Sequence, residues 1–172
     1  MRLVRTVYRA YNPKWAFAPE SGEGAALTGG RFNSRGMRAL HTSLRFQTAW
    51  LEAQQAFPFK AQPMTLCAYD IDCDDVLDLT DPVVLTAHGM VPSDLACAWK
   101  DLETQGVRPP SWLIAYRLRW NSIAGIVVPS YAHGATAADI NVAFWDWGPA
   151  LPHQVRVIDD EHRLPQDTSS WR

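Results

Sequence analysis

Arg31, His41 and Glu52 fall at near-even spacing within GGRFNSRGMRALHTSLRFQTAWLEAQQAF, residues 29–57. Arginine offers a planar fork of N–H donors that pairs bidentately with phosphate. The Gly29-Gly30 pair before it lets the backbone pass close to a ligand. A histidine beside them can hydrogen-bond a ribose or assist proton transfer. A carboxylate can stabilise a sugar carbon that becomes cationic as a bond to it breaks. A cation for phosphate with a carboxylate for a developing oxocarbenium ion suits cleavage of an N-glycosidic bond. Each residue alone also has a plain structural reading: Arg31 as a surface arginine, His41 as a satisfied half-buried histidine, Glu52 as a solvated helix residue.

The elements around these residues decide whether they can meet. Residues 2–9 alternate and are partly β-branched, which predicts a strand. Residues 12–28, rich in Pro, Gly and Ala, read as a loop. RFN reads as a short strand, Asn33–Gly36 as a turn, and MRALHT as the returning strand. Ser43 is a candidate N-cap for the next helix. Phe46, Trp50, Ala53 and Phe57 recur at helical spacing and would bury one face, with Pro58 as the stop. Glu52 then lies on the flank shared with Ala49 and Ala56, where small neighbours leave room for another group. Strand, return strand and helix packed side by side would bring the three side chains to one cleft.

Further along, TLCAYDI and VLDLT read as strands. Residues 93–105 read as a helix with Ser93 as its cap, ending near Gly106. Ser111 is the candidate cap of a second helix running to about Trp120. IAGIVVPS is an apolar run suited to a buried strand, YAHGATAAD a loop, and NVAFWDW and QVRVIDD two more strands before a polar tail. Strands and helices mix without regular βαβ alternation, so the fold class is α+β.

The chain has 172 residues, 47% hydrophobic and 20% charged, which suits one soluble domain, residues 1–172, with a real core. A net charge of −2 gives no global basic field to attract nucleic acid. The opening MRLVRTVYRAY has no signal-peptide apolar run, and no segment reaches the roughly 20 apolar residues of a membrane span. Cys67, Cys73 and Cys97 are odd in number and form no CxxC pair, which favours free thiols in a reducing cytoplasm. His88, His133, His153 and His162 have no metal-ligand spacing, and the acidic YDIDCDD lacks the glycine and terminal glutamate of a calcium loop, so no metal is expected. Neither a Walker-type loop nor a GxGxxG fingerprint is present. Eight tryptophans are many for this length; they can fill core, line a pocket or face a partner.

The run SGEGAALTGGRFNSRGMRALHTSLRFQTAWLE resembles the signature of the RES-domain toxins, named for Arg, Glu and Ser. The resemblance rests on Ser21, Gly22, Gly24, Ala25, Gly29, Gly30, Arg31, Asn33, Gly36, Ala49 and Glu52, in the family's order. Arg9 in YRAY, Ser130 in IVVPS and Asn141 extend it over about residues 7–160; it is dense over the signature region 21–52 and sparse after 130. It implies an ADP-ribosyltransferase-like mixed sheet flanked by helices. It also implies the toxin half of a bacterial toxin–antitoxin pair, acting on NAD+ to inhibit growth. Some members destroy NAD+ by hydrolysis or phosphorolysis; others transfer ADP-ribose to a protein. The partner would be an antitoxin with an Xre-like helix-turn-helix region and a toxin-binding domain, in a hetero-oligomer.

Carried over by position, Arg9 and Arg31 would hold the NAD+ phosphates, Glu52 would act on the nicotinamide ribose, and Ser130 and Asn141 would line the site. Two departures stand out. His41 replaces the family's usual strand tyrosine and is similar to the histidine that contacts the adenosine ribose in diphtheria-toxin-like transferases, which tilts the expectation towards transfer to a protein acceptor. FWDWGP follows Asn141 where many members have an Asn-Pro ending, and Trp145 and Trp147 alternate with Asp146 as residues covering a core face would. The rival classes are a binding module that keeps the fold without catalysis, and an RNA-cleaving toxin, against which the near-neutral charge argues.

Overall fold

The computed structural model describes residues 1–55 and 61–169. Seven strands form one mixed sheet: β1 (Leu3–Tyr11), β2 (Leu40–Ser43), β3 (Thr65–Cys73), β4 (Val76–Asp78), β5 (Gly125–Pro129), β6 (Ile140–Phe144) and β7 (His153–Val157), in the order β4-β5-β6-β2-β1-β3-β7. Only β4 and β5 run parallel; every other pair is antiparallel. Six α-helices accompany it: α1 (Glu23–Thr28), α2 (Phe46–Gln54), α3 (Pro82–Ala87), α4 (Pro92–Leu95), α5 (Trp99–Thr104) and α6 (Pro110–Trp120). The mixed sheet flanked by helices is the α+β architecture expected.

The sheet has a thin waist. β2 pairs with β6 through four residues, but β1 and β2 share a single registered pair, Tyr8 with Ser43. Residues directly opposite on paired strands point to the same face. Tyr8, Ser43, Asn141 and Val128 therefore form one row across the waist, with His41, Ala143 and Ile126 in the neighbouring row. On this face α2 packs beside β1 and β2, while Ile114, Ala115 and Leu118 of α6 close over Ile126, Val128 and Ala143. The region between the two coverings, where Ser43 and Asn141 stand side by side, is the candidate cleft.

The opposite face buries Val7, Leu40, Tyr69, Val142 and Phe144 under residues 12–22 and Trp147. Tyr69 and Arg9 both donate to the Pro19 carbonyl, and Trp147 Nε1 donates to the Glu20 carbonyl at 2.8 Å, which ties this loop down.

Several local expectations change. Residues 12–28 are not wholly loop: Pro13–Trp15 makes a 3-10 turn capped by Asn12, and α1 follows. RFN is not a strand but part of a tight turn in which Gly30 and Asn33 bond each other's backbones. The waist strand β2 thus pairs with β6 and β1, not with RFN. Ser43 is the last residue of β2, not an N-cap; Arg45 begins α2 without a side-chain cap. In α2 the buried residues are Thr48 and Ala49, whereas Phe46 and Trp50 remain 49% and 40% exposed. The aromatic stripe is the rim, because the helix lays its small residues on the sheet; Ala56, Phe57 and Pro58 lie outside the described residues. The helix expected at 93–105 is broken into α4 and α5, with Ser93 inside α4, and Ser111 lies inside α6 after Pro110. Helix α3, capped by the Asp81 side chain on the Val83 N–H, was not foreseen. Asp70 and Asp72 of the acidic run bond Thr6 and Arg2 across the strands on β3, an interior strand between β1 and β7.

Candidate functional site

Glu52 projects from α2 into the cleft and is held by two distant residues. Ser130 Oγ donates to Glu52 Oε1 at 2.5 Å, and Asn141 Nδ2 donates to the same oxygen at 2.5 Å. Asn141 Oδ1 in turn accepts from Ser43 Oγ at 2.7 Å. Gln55, one helical turn on, donates to Oε2. Ser130 Oγ also accepts the Ala132 N–H at 3.2 Å, which fixes the direction of its own proton.

The loop carrying Ser130 is braced against the helix carrying Glu52. Asp139 Oδ1 accepts from Thr48 Oγ1 at 2.6 Å, and Oδ2 accepts from the Thr136 N–H and hydroxyl, both at 2.8 Å. These donors hold the Asp139 carboxyl down to about 2, Thr48 contributing most. The Asp139 backbone carbonyl accepts the Ser130 N–H at 2.7 Å, so helix, loop and the end of β5 are joined at one residue.

His41 stands in the row beside Ser43 with its Nε2 2.8 Å from Asn33 Oδ1. The neighbours of Asn33 settle the proton's place. Asn33 is fully buried, and its Nδ2 donates to the carbonyls of Ala25, Met37 and Ser34. Its Oδ1 must therefore be the atom facing His41, and Nε2 must carry the hydrogen. Nδ1 is left as an acceptor with no partner among the described residues. Burial, helped by the positive charge of Arg9, lowers the imidazole to about 4, so the ring is neutral near neutral pH.

Gly30 makes this contact possible: a Cβ there would stand 2.6 Å from Asn33 Oδ1 and 3.1 Å from His41 Nε2. The turn is pinned by two indoles. Trp112 Nε1 donates to the Gly30 carbonyl and Trp145 Nε1 to the Phe32 carbonyl, each at 2.8 Å. Arg31 leaves this turn with its guanidinium 4.6 Å from the centre of the Tyr131 ring. Its Nη1 donates to the carbonyls of Leu95 and Cys97, at 3.2 and 2.5 Å. Burial lowers its pKa, opposed in part by the negative charge of Glu52, which puts the two groups in each other's field. Nε and Nη2 have no partner among the described residues.

Glu52, Ser130 and Asn141 thus meet directly, with Arg31 and His41 on the cleft's flanks. Arg9 is placed differently. It points to the other side of β1 from Tyr8, lies 4.8 Å from the centre of the Tyr11 ring, and donates to the Pro19 carbonyl at 2.9 Å. It touches His41 only through its field.

The profile of the RES domain family matches residues 6–167. The chain belongs to the RES domain family. No curated protein sequence matches it. Among solved structures, it is similar to a chain in the crystal structure of the M. tuberculosis MbcT–MbcA toxin–antitoxin complex, at 20% identity, a TM-score of 0.63, and coverage of 92% of this chain and 84% of that one. That likeness places the fold. Within this RES domain, residues of the three types that give the family its name stand close together: Ser130 bonds Glu52, and Arg31 lies in the field of Glu52.

Ser43, Tyr131, Asn33, Thr48 and Asp139 support the site without a motif in the sequence that marks them for it. Ser43 carried a signal, since it ends the strand that holds His41, but a serine before an amphipathic run reads first as a cap. Trp145 and Trp147 are absorbed by core and by loop carbonyls, but not on one face as their alternation with Asp146 suggests: β6 ends at Phe144, and the two rings join the cores on opposite sides of the sheet. Among the described residues, no helix is long and apolar enough to cross a membrane, and no cluster of three or more His, Cys, Asp or Glu side chains could hold a metal.

Proposed function

We propose that this RES-domain protein is the cytoplasmic toxin of a toxin–antitoxin pair, and that it cleaves NAD+ between nicotinamide and ribose and passes ADP-ribose to a cellular protein. The observation that carries the reading is a carboxylate held by two hydrogen bonds, Glu52 on Ser130 and Asn141, in the field of the partly buried Arg31 and with the neutral His41 one row away on the same sheet face. In the reaction the bond from the ribose C1′ to the pyridinium nitrogen breaks. Its electron pair goes to the nitrogen, and nicotinamide leaves neutral. Glu52 faces the cationic sugar that remains; its anchors are preorganised, so little reorganisation is needed as charge develops. The acceptor attacks C1′ and gives up its proton. Arg31, with Nε and Nη2 to offer, would hold a phosphate. His41 would accept a hydrogen bond from a ribose hydroxyl at Nδ1. Ser130 and Asn141 act through Glu52, and Arg9 is better suited to fixing the 12–22 loop and the field around His41 than to direct contact. The partner would be an antitoxin, since the similar M. tuberculosis chain belongs to a toxin–antitoxin complex, and it would block the reaction by covering this site.

The test is incubation of the protein with NAD+ labelled in its adenylate part, with and without bacterial lysate, beside Glu52→Gln. Nicotinamide release with label on one lysate protein, lost in the variant, is the expected result. Release with label confined to small molecules would mean hydrolysis or phosphorolysis instead. Intact NAD+ after incubation with folded protein would end the enzymatic reading and favour a binding module.

A further inference from the structure

Ser43 is buried at the waist of the sheet, and it is the one residue in register with both β1, through Tyr8, and β6, through Asn141. Its hydroxyl donates to Asn141 Oδ1 at 2.7 Å. A primary amide has one acceptor end and one donor end. The Glu52 carboxylate only accepts, so Nδ2 must face it; Oδ1 then faces Ser43, whose hydroxyl donates and holds the amide in that plane, and the flipped amide would set oxygen against carboxylate oxygen. We propose that Ser43 is a positioning residue, which orients the Asn141 amide so that Glu52 Oε1 serves as the anchor and Oε2 as the oxygen presented to substrate. The inference rests on the NAD+ reading for its catalytic consequence, but not for the hydrogen-bond relay itself.

The three groups that bond Glu52 divide by what they can do. Ser130 and Asn141 both donate to Oε1, and both are tied elsewhere, Ser130 to the Ala132 N–H and Asn141 to Ser43. Oε2 meets only Gln55 among the described residues, an exposed side chain on the same helix that can turn out to solvent. An incoming ribose would therefore replace Gln55, while Oε1 stays fixed. Ser43 itself is buried beside Asn141 at 2% exposure, so its influence passes through the amide.

Ser43→Ala, Ser43→Thr and Asn141→Ala are compared with the unaltered full chain for nicotinamide release from NAD+. Ser43→Ala is expected to lower kcat roughly tenfold with little change in KM, because only the carboxylate's alignment in the transition state suffers. Ser43→Thr keeps the hydroxyl and should restore most of the rate. In the Asn141→Ala background, Ser43→Ala should cost nothing further, since the relay is already cut. The side-chain amide resonances of Asn141, followed by 15N NMR, should shift in Ser43→Ala and stay in Ser43→Thr. Equal loss in the alanine and threonine variants would assign Ser43 to packing at the waist and overturn the relay; so would an unmoved amide with an unchanged kcat. If the unaltered protein releases no nicotinamide, the NAD+ reading fails on its own. The amide resonances then decide the relay, and no shift in Ser43→Ala refutes it.

Discussion

Replacing His41 with glutamine isolates the stability that the neutral imidazole brings. In the unfolded chain a histidine takes up its proton near pH 6.5; in the folded protein His41 does so only near 4, chiefly because it is buried. Between those values the unfolded state holds a proton that the folded state refuses. The contribution is therefore fully present above about pH 6.5, falls as the pH drops to about 4, and is level below that. At about 1.4 kcal/mol per tenfold change in proton affinity, a fall from 6.5 to about 4 is worth roughly 3 kcal/mol. Glutamine can still donate to Asn33 Oδ1 and does not titrate. The assay is urea denaturation at pH 7 and at a pH just above 4, for both proteins. The unaltered protein should lose about 3 kcal/mol more than His41→Gln over that interval. Identical losses, or a His41 ring that titrates in NMR at or above 6.5, would refute both the burial argument and the neutral acceptor it supplies to the site.

Two further outcomes follow from contacts elsewhere. Gly22 has φ +66° and an added Cβ would stand 2.6 Å from the Trp147 ring, whereas Gly36 at φ +83° has open space around it. Gly22→Ala should cost several kcal/mol in thermal denaturation, of the order of overpacking added to left-handed strain, and Gly36→Ala about 1–2 kcal/mol from strain alone; equal costs would show that the Trp147 contact is soft. Asp139 titrates near 2 when folded against an ordinary value of 3.8, so its share of stability is present above about 4 and is lost as the pH falls through about 2. Asp139→Asn should flatten the acid limb of unfolding in that window and speed proteolytic cutting of the 131–138 loop at neutral pH; an unchanged acid limb would count against the brace.

The elements legible in the sequence were those with a regular period: β1, β3, β5 and α6 stand close to where alternation or helical spacing puts them. Helix α1 was hidden because its Gly22-Glu-Gly start reads as loop, and the glycines act there by allowing left-handed backbone and close approach to Trp147. Helix α2 was legible as a helix but turned the wrong way: a hydrophobic stripe marks the buried face only where the neighbour is apolar, and here the neighbour is a polar cleft floor. Glu52, Arg31 and His41 could be named from residue type and spacing, and Ser130 and Asn141 from family resemblance. Ser43 and Asp139 could not, since their roles depend on which atoms stand opposite them across strands far apart in the chain. The same holds for the indoles of Trp112 and Trp145, whose value at the Arg31 turn comes from one N–H each and not from ring area.

The two residues that anchor Glu52 lie 78 and 89 positions after it. During synthesis the carboxylate leaves the ribosome long before Ser130 and Asn141 do. β2 has no β6 to pair with until residues 140–144 have emerged. A nascent chain halted anywhere before that point carries Glu52 without its clamp, and long-range antiparallel pairing is slow to form even when the chain is complete. A truncated translation product would therefore lack the assembled carboxylate, and under the NAD+ chemistry proposed above late assembly would be a safeguard written into the order of the strands.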